Sequence, residues 1–295
     1  MKILLLGGNG QVGRELRRSL APLGEIVVTS RDGRLEPEGP AEALDLSDLG
    51  AIARMVGRFR PDVVVNATAY TAVDKAEAER ELAFRINAEA PGVLASACAE
   101  AGIPLVHYST DYVFDGQGTS PYREDDPTAP LGVYGESKLA GEEAIRASGV
   151  EHLILRTAWV YALHGHNFLR TMLRLAAERD ELRVVGDQVG SPTPAWLIAD
   201  VTARLLANGA TDAGTLHLTT AGQCSWHAFA GEIVRLGVET GRIERAPVIT
   251  PIPTADYPTP ARRPAFSVLD TRRLEQVAGV GLPQWRQALA KTLDV

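Results

Sequence analysis

The chain has 295 residues, 45% of them hydrophobic and 23% charged, which suits one large or two smaller folded domains with a full core and excludes a disordered chain. Its formal net charge of -7 argues against a general binder of nucleic acid or anionic membrane, and no stretch approaches the roughly 20 apolar residues of a membrane span. Two cysteines far apart, Cys98 and Cys224, make neither a disulfide framework nor a zinc motif and fit a reducing cytoplasm.

The first half repeats one unit: a short apolar run, a turn, then a segment with helical periodicity. Apolar runs fall at Ile3–Leu6, Ile26–Thr29, Val63–Val65, Leu105–Ser109 and Leu153–Leu155. Such uniformly apolar runs alternating with helices predict a doubly wound α/β fold, a parallel sheet covered on both faces. The helical segments are Val12–Leu23, Asp48–Phe59, Lys75–Ala88, Ala90–Ala101 and Tyr134–Ala147. Pro61, Gly102 and Gly149 punctuate their ends. The opening "MKILLLGGNG" is too short an apolar run for a signal peptide.

Beyond about residue 160 the rhythm loosens. Asn167–Glu178, Pro194–Leu206 and Pro283–Leu293 read as helices, Leu182–Val185 and Leu216–Thr219 as short strands, with the proline-rich "APVITPIPTADYPTPARRPAF" between. The expected organisation is a Rossmann domain over 1–160 and a smaller C-terminal α/β substrate domain over 161–295, with elements near 195–220 returning to the first sheet.

"ILLLGGNGQVG" puts Gly7, Gly10 and Gly13 between the first strand and the first helix, where a dinucleotide pyrophosphate needs them. Gly7 allows the tight turn, Gly10 lets backbone approach the phosphates, and Gly13 lets helix pack on strand. The spacing G-x-x-G-x-x-G differs from the G-x-G-x-x-G of most dehydrogenases. At the end of the second strand stand Ser30 and Arg31 instead of an acidic residue. A hydroxyl plus a guanidinium suits a 2′-phosphate, so the expected cofactor is NADPH. Asp45 and Leu46 occupy the place where such folds clamp adenine, and Asn66, Ala67, Ala69 and Thr71 should line the nicotinamide side.

"VYGESKLAGEEAI" carries Tyr134 and Lys138 one helical turn apart. A carbonyl reductase needs a proton donor beside the substrate oxygen. A tyrosine, with an ordinary pKa near 10, serves better with a cation close by. Lys138 can supply that charge and reach the nicotinamide ribose. "HYSTDYVFDG" adds Ser109 and Thr110 at the carboxyl end of the fourth apolar run, and Thr110 precedes Tyr134 by 24 residues. Open α/β sheets bind ligands at that edge.

With "GGNGQVGREL", "RPDVVVNATAYTAVDKAE", "HYSTDYVFDG", "PLGVYGESKLAGE", "RTAWVYALHGHNF", "DQVGSPT" and "YPTPARRPAFSVLD", the chain resembles the extended short-chain dehydrogenase/reductases, and within them the dTDP-4-dehydrorhamnose reductase family. The resemblance runs from the first strand nearly to the C-terminus. It implies Tyr134 as general acid and Lys138 as the group that lowers its pKa and holds the ribose. Thr110 takes the hydroxyl role, and Asp111 and Trp159 become substrate contacts. It implies cofactor contacts at Gly10, Gln11, Val12, Asp45, Leu46, Ala69, Tyr70, Thr71 and Tyr108. The implied reaction reduces the 4-keto group of dTDP-4-dehydro-β-L-rhamnose with NADPH, with no metal in the chemistry. Members with aspartate at the Ser30 position also accept NADH. Some hold magnesium at a homodimer interface through glutamates. Glu15 matches one of these ligands, but Trp196 stands at another, which argues against a metal-linked dimer here.

Among other features, Arg262 and Arg263 in "PTPARRPAF" could clamp a sugar-nucleotide pyrophosphate. His164 and His166 lack a third ligand and read as a polar loop beside the substrate pocket. Asp74, Lys75 and Glu77 read as the solvated start of a helix. The rivals are a sugar-nucleotide epimerase or dehydratase on the same scaffold, and a non-catalytic reductase-like regulatory subunit. A dehydratase would continue Thr110-Asp111 with glutamate, where this chain has Tyr112. The intact Thr110, Tyr134 and Lys138 argue against lost catalysis.

Overall fold

A computed structural model describes residues 1–36 and 39–294. Among these, seven strands form one parallel sheet. Six are β1 (Lys2–Leu6), β2 (Glu25–Ser30), β3 (Glu42–Ala43), β4 (Val63–Asn66), β5 (Leu105–Thr110) and β6 (His152–Thr157), and the seventh is Gly214–His217. Their order is Gly214–His217, β6, β5, β4, β1, β2, β3. The chain therefore runs outward from β1 in one direction, then returns to β4 and continues in the other. This reversal opens a crevice at the carboxyl ends of β1 and β4, the place where doubly wound folds take their ligands.

The parity of β1 and β4 explains why both read as unbroken apolar runs. Ile3, Leu5, Val63 and Val65 enter one core cluster, with Leu16 of the Gln11–Ser19 helix, its C-cap Leu20, and Leu197, Val201 and Leu205 of the Ala195–Ala207 helix. Leu4, Leu6 and Val64 enter the other, with Ile52 and Val56 of Leu49–Phe59 and Leu94 and Cys98 of Ala90–Ala101. Each strand is buried on both faces, so nothing in its pattern alternates. A third cluster, built from Tyr161, Leu169, Phe229, Ile233, Trp285 and Leu289, gives the later residues a core of their own.

Three elements differ from the sequence reading. Lys75–Ala88 is not one helix: Val73–Ala76 and Arg80–Phe84 are followed by a π-helical turn over Arg85–Glu89. Pro91 lacks an N–H and crowds the preceding turn, and the widened turn carries buried Asn87 inward to bond Tyr70 N (2.8 Å), Tyr70 O (3.0 Å) and Ser137 Oγ (3.0 Å). Trp226–Glu239 is a helix, capped by the Ser225 hydroxyl on Ala228 N and burying Phe229, Ala230, Ile233 and Val234. The proline-rich stretch contains a strand, Val248–Ile252, parallel to Glu181–Val185. Pro251 is tolerated because that strand is an edge. Among the described residues no helix is long and apolar enough to cross a membrane.

Candidate active site

The glycine loop has the shape that its spacing predicted. Gly7 sits at φ +86°, and a Cβ there would lie 2.7 Å from Thr68 Cγ2. A Cβ on Gly13 would meet the Gly7 carbonyl oxygen at 2.0 Å, so only glycine lets the helix start this close to the turn. Gly10 is the N-cap of Gln11–Ser19 and brings no side chain to cap it. The first-turn amides and the positive end of the helix dipole therefore face the crevice, as an anion requires.

A cleft of about 640 Å³ opens there, lined by the predicted Gly7, Gly10, Ser30, Arg31, Asp45, Leu46, Ala67, Ala69, Tyr70 and Thr71. It is also lined by Asn9, Asp32 and Ile86, which sequence reading missed. The Ser30 hydroxyl bonds the Asp32 carboxylate at 3.3 Å, so the acid absent at position 30 is present two residues on. Ser47, through its backbone N–H (2.9 Å) and then its hydroxyl, and the Arg31 charge hold the Asp45 carboxyl below its ordinary range. Gln11 and Val12 lie at the helix start: the Gln11 side chain accepts from Asn167 (2.7 Å), and Val12 packs on the core. His164 reaches the Gln11 carbonyl at 3.3 Å, so the "HGHN" loop covers the glycine turn. Tyr108 is a correction. Its phenol turns away to the Thr202 hydroxyl (2.8 Å), and what it offers the site is its carbonyl.

Tyr134, Thr110 and Lys138 converge at the end of β5. Tyr134 stands in the first turn of the Val133–Ala147 helix, whose N-terminus is capped from outside: Glu77 Oε1 accepts from Val133 N at 2.9 Å. Glu77 is exposed, as a solvated residue is, but it ends the Val73–Ala76 helix and its carboxylate caps another one. Burial pushes the Tyr134 phenol up to about 12, the Thr110 hydroxyl beside it works against this, and the Asp111 charge adds to it. The phenol is protonated at neutral pH, as a proton donor must be. Lys138, 2% exposed, donates to Tyr108 O at 2.7 Å and faces His107 Nε2 at 3.0 Å. Burial lowers its pKa to about 8, against the pull of Glu142. Asp111 is buried, with Oδ1 accepting from Thr110 (3.1 Å) and Oδ2 without a bonded partner among the described residues. Burial raises its carboxyl to about 6, although the nearby Ser267 and Thr110 hydroxyls work against this.

A second cavity, about 460 Å³, begins beside Tyr112 and Asp74 and runs between Phe168–Glu178, Glu181–Val185 and the prolines. Arg263 lines it, held by Asp74 at 2.8 Å, while Arg262 is exposed and does not line it. Trp159 does not line it either. At φ +47° its ring stacks on Trp226 with centroids 3.4 Å apart, and Trp226 is the one facing the cavity. Arg179 and Arg183 line it too; the capped, apolar-periodic "SWHAFAGEIV" was the available signal for Trp226. Away from both cavities, Glu15 lies beside Arg18 (3.5 Å) and His164 (3.7 Å), and Lys291 Nζ sits 3.8 Å over the Trp196 ring. Among the described residues no group of three or more His, Cys, Asp or Glu is placed to hold a metal.

The family described as "RmlD substrate binding domain" matches residues 1–295. A dTDP-4-dehydrorhamnose reductase of Burkholderia thailandensis is 52% identical, covering 98% of this chain and 97% of that protein. One from Escherichia coli K12 is 45% identical, covering 100% and 97%. The chain belongs to the dTDP-4-dehydrorhamnose reductase family. A solved structure of such a reductase from Clostridium acetobutylicum superposes with TM-score 0.90 at 39% identity, covering 100% of this chain and 99% of that one. Another, from Bacillus anthracis and in complex with NADP, superposes with TM-score 0.89 at 32% identity, covering 99% and 98%. The UDP-glucose 4-epimerase of Thermotoga maritima, at 19% identity and TM-score 0.80, shares the fold alone.

Proposed function

We propose that this chain reduces the 4-keto group of dTDP-4-dehydro-β-L-rhamnose to dTDP-β-L-rhamnose with NADPH, and that Tyr134 is the proton donor. The observation that carries the reading is the partly buried, protonated Tyr134 phenol beside Thr110, in a fold whose glycine loop opens on a dinucleotide-shaped cleft. The cleft fits the cofactor: its turn admits only glycine at position 13, and its helix dipole faces the crevice. Bound NADPH supplies the hydride that C4 receives. Gly10, whose own N–H bonds Gly7 O at 3.0 Å, lets the backbone approach the pyrophosphate, and the first-turn amides of Gln11, Val12 and Gly13 hold it. Ser30 and Arg31 hold the 2′-phosphate, and Asp45 and Leu46 the adenosine. Ala69, Tyr70 and Thr71 border the nicotinamide, and Lys138 takes the ribose hydroxyls.

Thr110 orients the carbonyl, and Tyr134 passes its phenolic proton to O4 as the alcohol forms. Asp111 and Trp226, the latter braced by Trp159, contact the sugar nucleotide, and Arg263 its phosphates. In this reading residues 1–160, with the returning 195–220, carry the cofactor, and the remainder of 161–295 carries the substrate. The partners are small molecules of the cytoplasm, with no nucleic acid or membrane involved.

The test is purified protein, NADPH and dTDP-4-dehydrorhamnose, following loss of reduced-cofactor absorbance. Tyr134→Phe should lower kcat by about 10²–10⁴-fold with NADPH affinity kept. Absence of oxidation with a verified substrate overturns the reading. A Tyr134→Phe enzyme near wild-type kcat removes Tyr134 from its role.

A further inference from the structure

Lys138 is usually expected to be an ammonium in such a site, yet the hydrogen bonds around it point the other way. Asn66 and His107 are register partners on β4 and β5, and both are buried. The Asn66 side-chain carbonyl accepts from the Thr68 backbone N–H at 3.1 Å, and the Thr68 hydroxyl bonds the same oxygen. A backbone N–H can only donate, so the orientation of the amide is decided: Nδ2 faces His107 Nδ1 at 3.1 Å. An amide nitrogen also only donates. His107 Nδ1 must therefore be the acceptor, and the proton of the neutral ring sits on Nε2. Nε2 faces Lys138 Nζ at 3.0 Å, and Nζ in turn donates to Tyr108 O. An ammonium has no lone pair for an N–H to meet, whereas an amine has one.

We propose that His107, locked by Asn66 in its Nε2–H tautomer, is a positioning residue that holds Lys138 as a neutral amine in the cofactor-free protein. The chain Thr68–Asn66–His107–Lys138 is then satisfied at every link. Charging Lys138 forces either two donors together at Nε2 or a flip of Asn66 that breaks its bond to Thr68. Ribose hydroxyls can accept from the ammonium, so cofactor binding is the event that charges Lys138 and draws one proton into the site. The inference rests on the reductase reading only for that last consequence. Full burial works in the same direction, lowering both His107 and Lys138, and the Nε2–H tautomer takes Lys138 the rest of the way to a neutral amine.

The other charges near this pair do not depend on the tautomer. Glu142 on the same helix is matched by Arg156 of β6 (2.7 Å) and Arg146 (3.2 Å). Asp111, on the turn after β5, raises Tyr134. Glu77 is engaged by Val133 N and Asp74 by Arg263, while Arg80 pairs with Glu136.

The test uses the four lysines, Lys2, Lys75, Lys138 and Lys291, labelled with ¹³C at Cε in the whole protein. Lys138→Ala assigns the buried resonance. Without cofactor the wild-type Lys138 should titrate below about 7, far under the ordinary lysine value of about 10.4, and saturating NADPH should raise that midpoint. Asn66→Asp offers Nδ1–H an acceptor and reverses the tautomer, so the cofactor-free midpoint should rise by about 1 unit or more. Asn66→Ala removes the opposing donor without adding charge and should shift it in the same direction by less. That second variant decides the matter if the aspartate variant does not fold. A cofactor-free wild-type Lys138 that titrates above about 7 overturns the proposal. So does a folded Asn66→Ala protein whose midpoint is unchanged. Turnover plays no part in this readout, so failure of the sugar-reduction assay with the lysine shifts intact would count against the substrate alone.

Discussion

At the scale of single residues, Asp111 shows what the site gives up for its chemistry. Its carboxyl lies buried beside the Tyr134 phenol, with one oxygen unpartnered, and burial raises its pKa from 3.8 to about 6. A carboxyl raised in the folded state favours folding in its neutral form. That contribution is complete below about 4 and is lost as pH rises through about 6, amounting to about 3 kcal/mol at 1.36 kcal/mol per unit. Asp111→Asn should flatten the pH dependence of unfolding between pH 4 and 6.5. It should also leave the protein more stable than wild type at pH 7.5 while its kcat falls. Urea melts of both proteins at pH 4.5 and 7.5 check this, and a variant less stable at pH 7.5 refutes it. Tyr134, Lys138 and Thr110 were legible because their relation is local, a helical turn and a strand end. The link from Lys138 to His107 was not legible, because it exists only through β4–β5 register.

At the scale of elements, the Val133–Ala147 helix owes its placement to chain far before it. Gly132 cannot cap it, and the Glu77 carboxylate does so from the segment Val73–Ala76 leads into, adding a negative charge at the positive end of the dipole. A Cβ at Gly132 would lie 2.5 Å from Glu77 Oε1 and push the capping carboxylate aside. Glu77→Ala should destabilise the protein by about 1 kcal/mol. Because the lost bond fixes the turn that carries Tyr134, kcat should fall about tenfold with NADPH affinity little changed. Glu77→Gln keeps an acceptor without the charge and should fall between. Equal kcat for Glu77→Ala and wild type would leave the cap a purely structural contact. Sequence reading had Glu77 solvated, which it is, but gave it no partner, because an unbroken helix over Lys75–Ala88 would not aim it at Val133. The π-helical turn is set by buried Asn87 and by Pro91, and the partners that draw Asn87 inward, Tyr70 and Ser137, are tertiary. The strands of the first half were legible for the opposite reason: burial on both faces is written into each apolar run.

At the scale of the molecule, the second cavity is shaped by contacts between residues far apart in sequence. Arg263 comes from the proline-rich stretch and Asp74 from the short Val73–Ala76 helix, 189 residues away, yet their ion pair at 2.8 Å holds the guanidinium against the second cavity. The sequence offered Arg262 and Arg263 as equals, and composition has no means to separate them. The fold does, because Arg263 is part-buried against its carboxylate while Arg262 is exposed. An arginine held in place before the ligand arrives loses less side-chain freedom on binding. Arg263→Ala should therefore raise the KM for the sugar nucleotide about tenfold or more with a smaller loss in kcat, the pattern of lost uniform binding. Asp74→Asn keeps the arginine but loosens its hold and should shift KM in the same direction by less. Arg262→Ala should change KM by less than about twofold. Steady-state kinetics at saturating NADPH separate the three, and an Arg262→Ala effect larger than that of Arg263→Ala would mean that the phosphates lie on the other side of the proline-rich stretch.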